Sequence, residues 1–453
     1  MDSVGAPPDN PALNTDPASG LKFMLRALRH RNYRLFFVGQ GVSVIGTWLT
    51  TTATSWLVFR LASESGAIHA ATVLGIVRFA ALAPVSVLAP IAGVLIDRWN
   101  RHHVLVVTQF LSMIQSGALA MLTYSGKINV GQIIGLSVFQ GLINVFDAPA
   151  RQAFVVEIVE HRADLANAIA LNSSMFNGAR LIGPAIAGFL IAAVGEAMCF
   201  SIDAVSYLAV LIALLMMRLP RVHSHPREHS AWRELRDGFR YSIGFAPVRA
   251  MLILAGLISF TVGAFQTLMP IFADEAAPAG RGAAVFGFLG AAVGVGSLAG
   301  AVYLASRRTV VGLGKVIAVA AGLGGVAMIG FAASHSLLLM MITCVFAGFG
   351  MIVTFAGSNT LLQTMVEDEM RGRLMSFFIV AVMGAAPLGS LIAGWVADRI
   401  GDARTTELAG AISVAAALLF LVKLPALRVL VRPIYIRKGI IPEVAAGLEP
   451  QEQ

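Results

Sequence analysis

Charge is what this sequence has least of. Only 13% of its 453 residues are Asp, Glu, Lys or Arg, where soluble domains carry about 25%. With 57% hydrophobic residues and a mean hydropathy of +0.78, no soluble core could hide the apolar surface, so much of it faces lipid. Cysteine is nearly absent. Cys199 and Cys344 both fall inside apolar runs, which excludes a disulfide framework and leaves packing as their role. No cleavable leader is expected either. Residues 1–20 are polar and rich in Pro, Asp and Asn, and the first apolar run, from about Tyr33, exceeds a signal h-region. That tail reads as disordered. The sequence has no nucleophile elbow, no His-Glu-x-x-His, no paired intramembrane aspartates and no Walker loop, so neither a membrane enzyme nor a built-in ATPase is indicated. No cofactor is expected. The net charge of +8 would suit nucleic acid if the basic residues formed one patch. They are scattered between apolar runs, which excludes that partner.

What is present is a series of apolar runs long enough to cross a bilayer, which takes roughly 20 residues. Six fall at 33–59, 71–96, 104–124, 130–149, 167–194 and 197–217; six more fall at 248–273, 283–305, 314–333, 336–358, 374–398 and 408–425. The expected organisation is all-α, with a disordered tail over 1–30 and a six-helix bundle over 31–218. A linker over 219–247, a second bundle over 248–425 and a tail over 426–453 follow. Placing both termini in the cytoplasm puts most of the 33 Lys and Arg residues there, Arg98, Arg101 and Arg151 among them. The other face keeps Arg60, Lys127, Arg281, Arg399 and Arg404, while Arg78 and Arg180 lie within spans. This is the positive-inside asymmetry, and an odd number of spans would scramble it. Within the linker, Trp232, Leu235 and Phe239 share one helical face and Arg233, Arg236 and Arg240 the rest, as in a helix lying in the cytoplasmic interface. His223, His225 and His229 stand in the same basic linker, and no metal is expected there.

Several stretches carry chemistry. In GVLIDRWNR, Gly93 lets another helix approach and Asp97 follows one turn later, able to meet Arg98 or Arg101 or to cap a facing helix. In FNGARLIGPAIAG, Gly178, Gly183, Pro184 and Gly188 thin and bend a helix for close packing. Arg180 falls near mid-bilayer, where insertion costs roughly 2.5–3.5 kcal/mol. Its role is either structural, pairing with helix-end carbonyls or Asp147, or substrate or proton coupling. Asp203 is the one acid placed within a span, and Asp147 and Glu157 flank the turn between helices 4 and 5. A carboxylate in low dielectric takes up protons near neutral pH, so these three are proton-coupling candidates beside Arg180, although Asp203 also suits a helix cap. Gln40, Trp48, Gln109, Gln115, Gln140, Asn144, Asn172, Asn177, Gln266 and Gln363 are scattered polar or amphipathic positions inside spans. Such side chains prefer a watery cavity over lipid, and these suit a large amphipathic substrate.

Four stretches, at 31–58, 92–105, 147–188 and 359–378 with 387–401, together resemble the major facilitator superfamily, in its enterobactin-exporter-like drug:proton antiporter branch. The resemblance implies twelve transmembrane helices in two pseudo-symmetric six-helix bundles. It also implies a bacterial inner-membrane protein, monomeric, exchanging an amphipathic drug or siderophore against protons by alternating access. Gly93, Asp97, Arg98 and Arg101 would form the latch of the cytoplasmic side, and the helix 5 glycines and proline an exporter motif. Asn100 stands where the family has glycine, Gln140-Gly141 where many antiporters carry an arginine, and Gly300 to Arg308 has lost the aspartate of the second latch. An importer of peptides or cell-wall fragments on the same scaffold, or a non-transporting membrane protein, is the alternative.

Overall fold

The apolar runs become helices because, in lipid, only a helix satisfies every backbone amide within its own segment. The computed structural model describes residues 25–440 except 65, 67–68, 97, 160, 219–243 and 308. Asp97, the linker histidines and nearly all of the expected interfacial helix lie outside these. The described residues form twelve helices long and apolar enough to span. They are α1 (Arg31–Glu64), α2 (Ala70–Ile96), α3 (Arg101–Tyr124), α4 (Val130–Ile158), α5 (Arg162–Val194) and α6 (Glu196–Leu215). The second set is α7 (Ala246–Ala276), α8 (Gly282–Ser306), α9 (Leu313–Ala332), α10 (Leu337–Met365), α11 (Asp368–Ile400) and α12 (Asp402–Arg437). Several outrun their apolar segments. α4 continues through Pro149 to Ile158 and α12 through Pro425 and Pro433 to Arg437. Residues 26–29, read from sequence as tail, form a short helical turn held to α5 by Arg26 and His30 on Asp164, at 3.1 and 2.9 Å.

Packing repeats with an offset of six helices. α1 packs on α5 and α6, α2 on α4, and α3 on α4 and α6; α7, α8 and α9 pack on α11 and α12, on α10, and on α10 and α12 in the same way. The two bundles meet through α2 with α11 and through α5 with α8, a pair of contacts exchanged by the same offset. The turns repeat as well. Gly195 joins α5 to α6 at φ 85°, ψ 170°, and Gly401 joins α11 to α12 at φ 91°, ψ 154°, a region open essentially to glycine alone. All helix ends therefore fall on two faces. The terminal face carries the start of α1 and the end of α12, and the distal face the Gly195 and Gly401 turns. Large apolar side chains such as Phe189, Val205 and Val422 point outward, as a lipid-facing surface requires.

Candidate functional site

A polar network in the first bundle centres on Asp147 on α4, 3% exposed. It accepts hydrogen bonds from Thr108 Oγ1 at 2.9 Å and Gln109 Nε2 at 2.7 Å, both on α3, and pairs with Arg151 one turn along its own helix. Arg151 also reaches Gln40 Oε1 on α1, at 3.5 Å, and lies over the Phe176 ring of α5, 5.3 Å from its centroid. Four helices thus converge on one ion pair, the condition under which buried charge is tolerated. Sequence reading misses Arg151 because the apolar run ends at Pro149. In a bundle, neighbouring groups satisfy the carbonyl a proline frees, so the helix and its arginine continue. The partner proposed for Arg180, Asp147, is taken. Arg180 instead lies over Trp48 of α1, 5.7 Å from the ring centroid.

Gln40 and Gln109 are buried within this network, and Gln115 is equally buried, donating to the Leu136 carbonyl at 3.4 Å. None of the three lines open space in this conformation, because each is spent on holding helices of one bundle together. Gln140 donates to Asn144 at 3.1 Å and to Ser112 at 3.2 Å, half-buried on α4. Asn172 and Asn177 are half-buried on α5, the latter bonded to its own helix at 2.9 Å. Gln266 of α7 accepts from Arg78 of α2 across the bundle boundary and turns its amide toward Met351 of α10. Arg78 therefore does not extend to the membrane surface. Gln363 bonds Asn359 at 2.5 Å beside a recess of about 450 Å³ that Arg371 and Lys438 also line, near the terminal face.

Asp203 is not a helix cap. Gly195 occupies the cap of α6, and Asp203 lies two turns in, 1% exposed, accepting from Ser116 Oγ of α3 at 2.8 Å. Gly46 of α1 covers it so closely that a Cβ there would sit 2.5 Å from its Oδ1. Asp203 thus sits inside the first bundle, away from Asp147's cluster.

Around the expected latch, Arg98 is exposed, Arg101 pairs with Glu157 at the end of α4, and Trp99 stacks on Phe146 at 5.8 Å. Asn100, the departure from glycine, caps α3, its side chain accepting from His103 N–H at 3.2 Å, a favourable arrangement for an N-cap. Gly93 lies in the last turns of α2.

The helix 5 motif divides in two. At Gly183 a Cβ would fall 2.4 Å from Trp48 Cβ, and at Gly188 2.7 Å from the Ala283 carbonyl of α8. Pro184 sits against Gly287 and Gly290. Gly178, one turn toward the terminal face, has nothing within 4 Å. The matching half of this contact is a glycine series in α8, Gly287, Gly290 and Gly294, which the sequence carries as FGFLGAAVGVG. On the other side Gly75 of α2 meets the Ser390 carbonyl and Gly394 of α11 meets that of Ala71. Asp398, at the distal end of α11, accepts from Thr72 N–H in the first turn of α2 at 3.1 Å, with His69 at 3.5 Å. A carboxylate there complements the α2 dipole. Toward the terminal face, neither α4 nor α5 makes comparable packing on α10 or α11 among the described residues. Among the described residues, the bundles are joined distally and make no comparable contact at the terminal face.

This architecture has relatives. A family model described as transmembrane secretion effector matches residues 24–435. The chain is 26% identical to the staphyloferrin A transporter of Staphylococcus aureus over 388 residues, 85% of this chain and 95% of that protein. It is 26% identical to the multidrug efflux pump Tap of Mycolicibacterium fortuitum, covering 79% and 87%. Macrolide efflux protein A of Streptococcus pyogenes is 20% identical, with 82% and 92% covered. Among solved structures, a bacterial homologue of the human lysosomal transporter Spinster, inward-facing and occupied, superposes with a TM-score of 0.63 at 14% identity, covering 91% and 99%. The nucleoside transporter NupG gives 0.62 at 11%, covering 85% and 98%; both similarities speak to the fold alone. The chain belongs to the transmembrane secretion effector family and is a secondary transporter of the major facilitator superfamily.

Proposed function

We propose that this transporter exports an amphipathic small molecule in exchange for protons by alternating access, with both termini in the cytoplasm. The observation that carries the reading is the bundle interface, closed distally by glycine-to-backbone contacts and, among the described residues, without comparable contacts at the terminal face. On this reading the conformation is inward-open. The moving units are 31–218 and 248–425, joined by 219–247. The efflux activities of the relatives Tap and macrolide efflux protein A, together with the siderophore relative, support drugs or siderophores as cargo. Asp147 is the favoured proton site. Neutralising it would free Arg151 and loosen a contact shared by four helices. Glu157 and Arg101 tie the α2–α3 turn to α4, so they act with Gly93, Asp97 and Arg98 in the latch.

Inside-out membrane vesicles test direction: cargo should accumulate within them when the lumen is made acidic, and cargo driven the opposite way would favour import. Asp97→Asn should bring transport close to background while membrane insertion stays intact; wild-type rates in a well-expressed mutant would remove the latch. Asp398→Ala should weaken distal closure, so spin labels on distal residues of the two bundles should move apart; an unchanged distance would make that bond incidental.

A further inference from the structure

We infer that the gap between the bundles selects anionic over cationic amphipathic molecules, using Arg78 and Arg180 as its anion-binding groups. The inference rests on the export reading and narrows its cargo. The other intramembrane charges of the first bundle are already committed. Asp147 pairs with Arg151 and Glu157 with Arg101, while Asp203 is enclosed by Ser116, Ser206 and Gly46. At the distal rim, Arg60 pairs with Glu196 at 2.9 Å, and Asp398 holds the start of α2.

Two guanidiniums remain, and neither has a carboxylate partner among the described residues. Arg78 makes one bond, to the neutral Gln266 amide, and its Nε is buried without a partner. Arg180 has the Trp48 ring and, among the described residues, no ion pair or hydrogen bond. It lies deep, about 21 Å of helix from Val194 at 1.5 Å per residue. The two stand on α2 and α5, the helices that meet the second bundle on either side, so they place positive charge at both flanks of the gap. Lone arginines at membrane depth are expensive and mark substrate paths. A guanidinium presents a fork of N–H donors that fits a carboxylate or sulfonate with two parallel bonds. Trp48 beside Arg180, and Met351 beside Gln266, offer aromatic and thioether surface for the apolar part of the same molecule. A cationic amphiphile would meet two uncompensated like charges, which is the repulsive half of specificity.

The test uses two dyes of similar size and opposite charge, carboxyfluorescein and rhodamine 6G. Each is titrated by fluorescence anisotropy against the purified full chain in an uncharged maltoside detergent. The wild type should bind carboxyfluorescein at least about tenfold more tightly, roughly 1.4 kcal/mol. Arg78→Met and Arg180→Met should each lose most of that preference while keeping their melting temperature and rhodamine affinity. Equal, reversed or absent preference in the wild type overturns the inference, as do folded variants that keep it. Should a variant fail to fold, the wild-type comparison decides. Dye movement under a pH gradient is read separately. Anion preference without gradient-driven movement would sink the export reading alone, and gradient-driven rhodamine export without anion preference would sink only this inference.

Discussion

Asp147→Asn is expected to abolish gradient-driven transport and to destabilise the first bundle by about 3–5 kcal/mol, the usual cost of leaving one partner of a buried pair uncompensated. The orphan would be Arg151, whose remaining contacts are Gln40 and the Phe176 ring, neither of which carries charge. Arg151→Met should cost a comparable amount, because Thr108 and Gln109 donate to the carboxylate without neutralising it. The double variant should recover much of the lost stability, since neither charge is then buried alone, and should recover none of the transport. Thermal unfolding of the four proteins measures the coupling between the two sites. Strictly additive losses would mean that the pair is not a unit, and wild-type transport by Asp147→Asn would remove it from the mechanism.

The second large effect belongs to the distal seal. Gly188→Val and Gly287→Val each force a side chain into backbone: a Cβ at Gly188 would lie 2.8 Å from Gly287 Cα, and one at Gly287 2.5 Å from the Pro184 carbonyl. Backbone atoms of packed helices yield little, so α5 and α8 should separate at the distal face. Transport should be lost with membrane insertion intact. Spin labels at Lys127 and Arg404, both exposed near that face, should report a longer distance than in the wild type. Cys199 and Cys344 are fully buried and do not compete for label. Gly178→Ala is the control from the same motif: it has open space around it and should transport as the wild type does. A short distal distance in both valine variants would contradict the seal.

Helix number followed from apolar run length, since lipid leaves the backbone no alternative. The repeat was only faintly visible, because the packing that expresses it, α5 on α8 and α2 on α11, joins residues far apart in the chain. Side-chain partners were the least legible part. Asp147 and Arg151 are one helical turn apart, and only the continuation of α4 past Pro149 makes them neighbours within a helix. Gln40, Gln109 and Gln115 are polar positions within spans as expected, yet they serve helix-to-helix bonding, and nothing in their spacing distinguishes that from facing a cavity. Asp398 lies at the distal end of α11 and there holds the start of α2, a role that depends on which helix faces it.

The central claim is that a proton gradient drives this chain's export cycle through Asp147. It is tested most directly in proteoliposomes, by following cargo movement under an imposed pH gradient and then under the inverted one, for the wild type and for Asp147→Asn. The account predicts movement in the wild type that reverses with the gradient, and none in the variant although cargo still binds. Wild-type movement indifferent to the gradient, or gradient-driven movement that survives in Asp147→Asn, would contradict it.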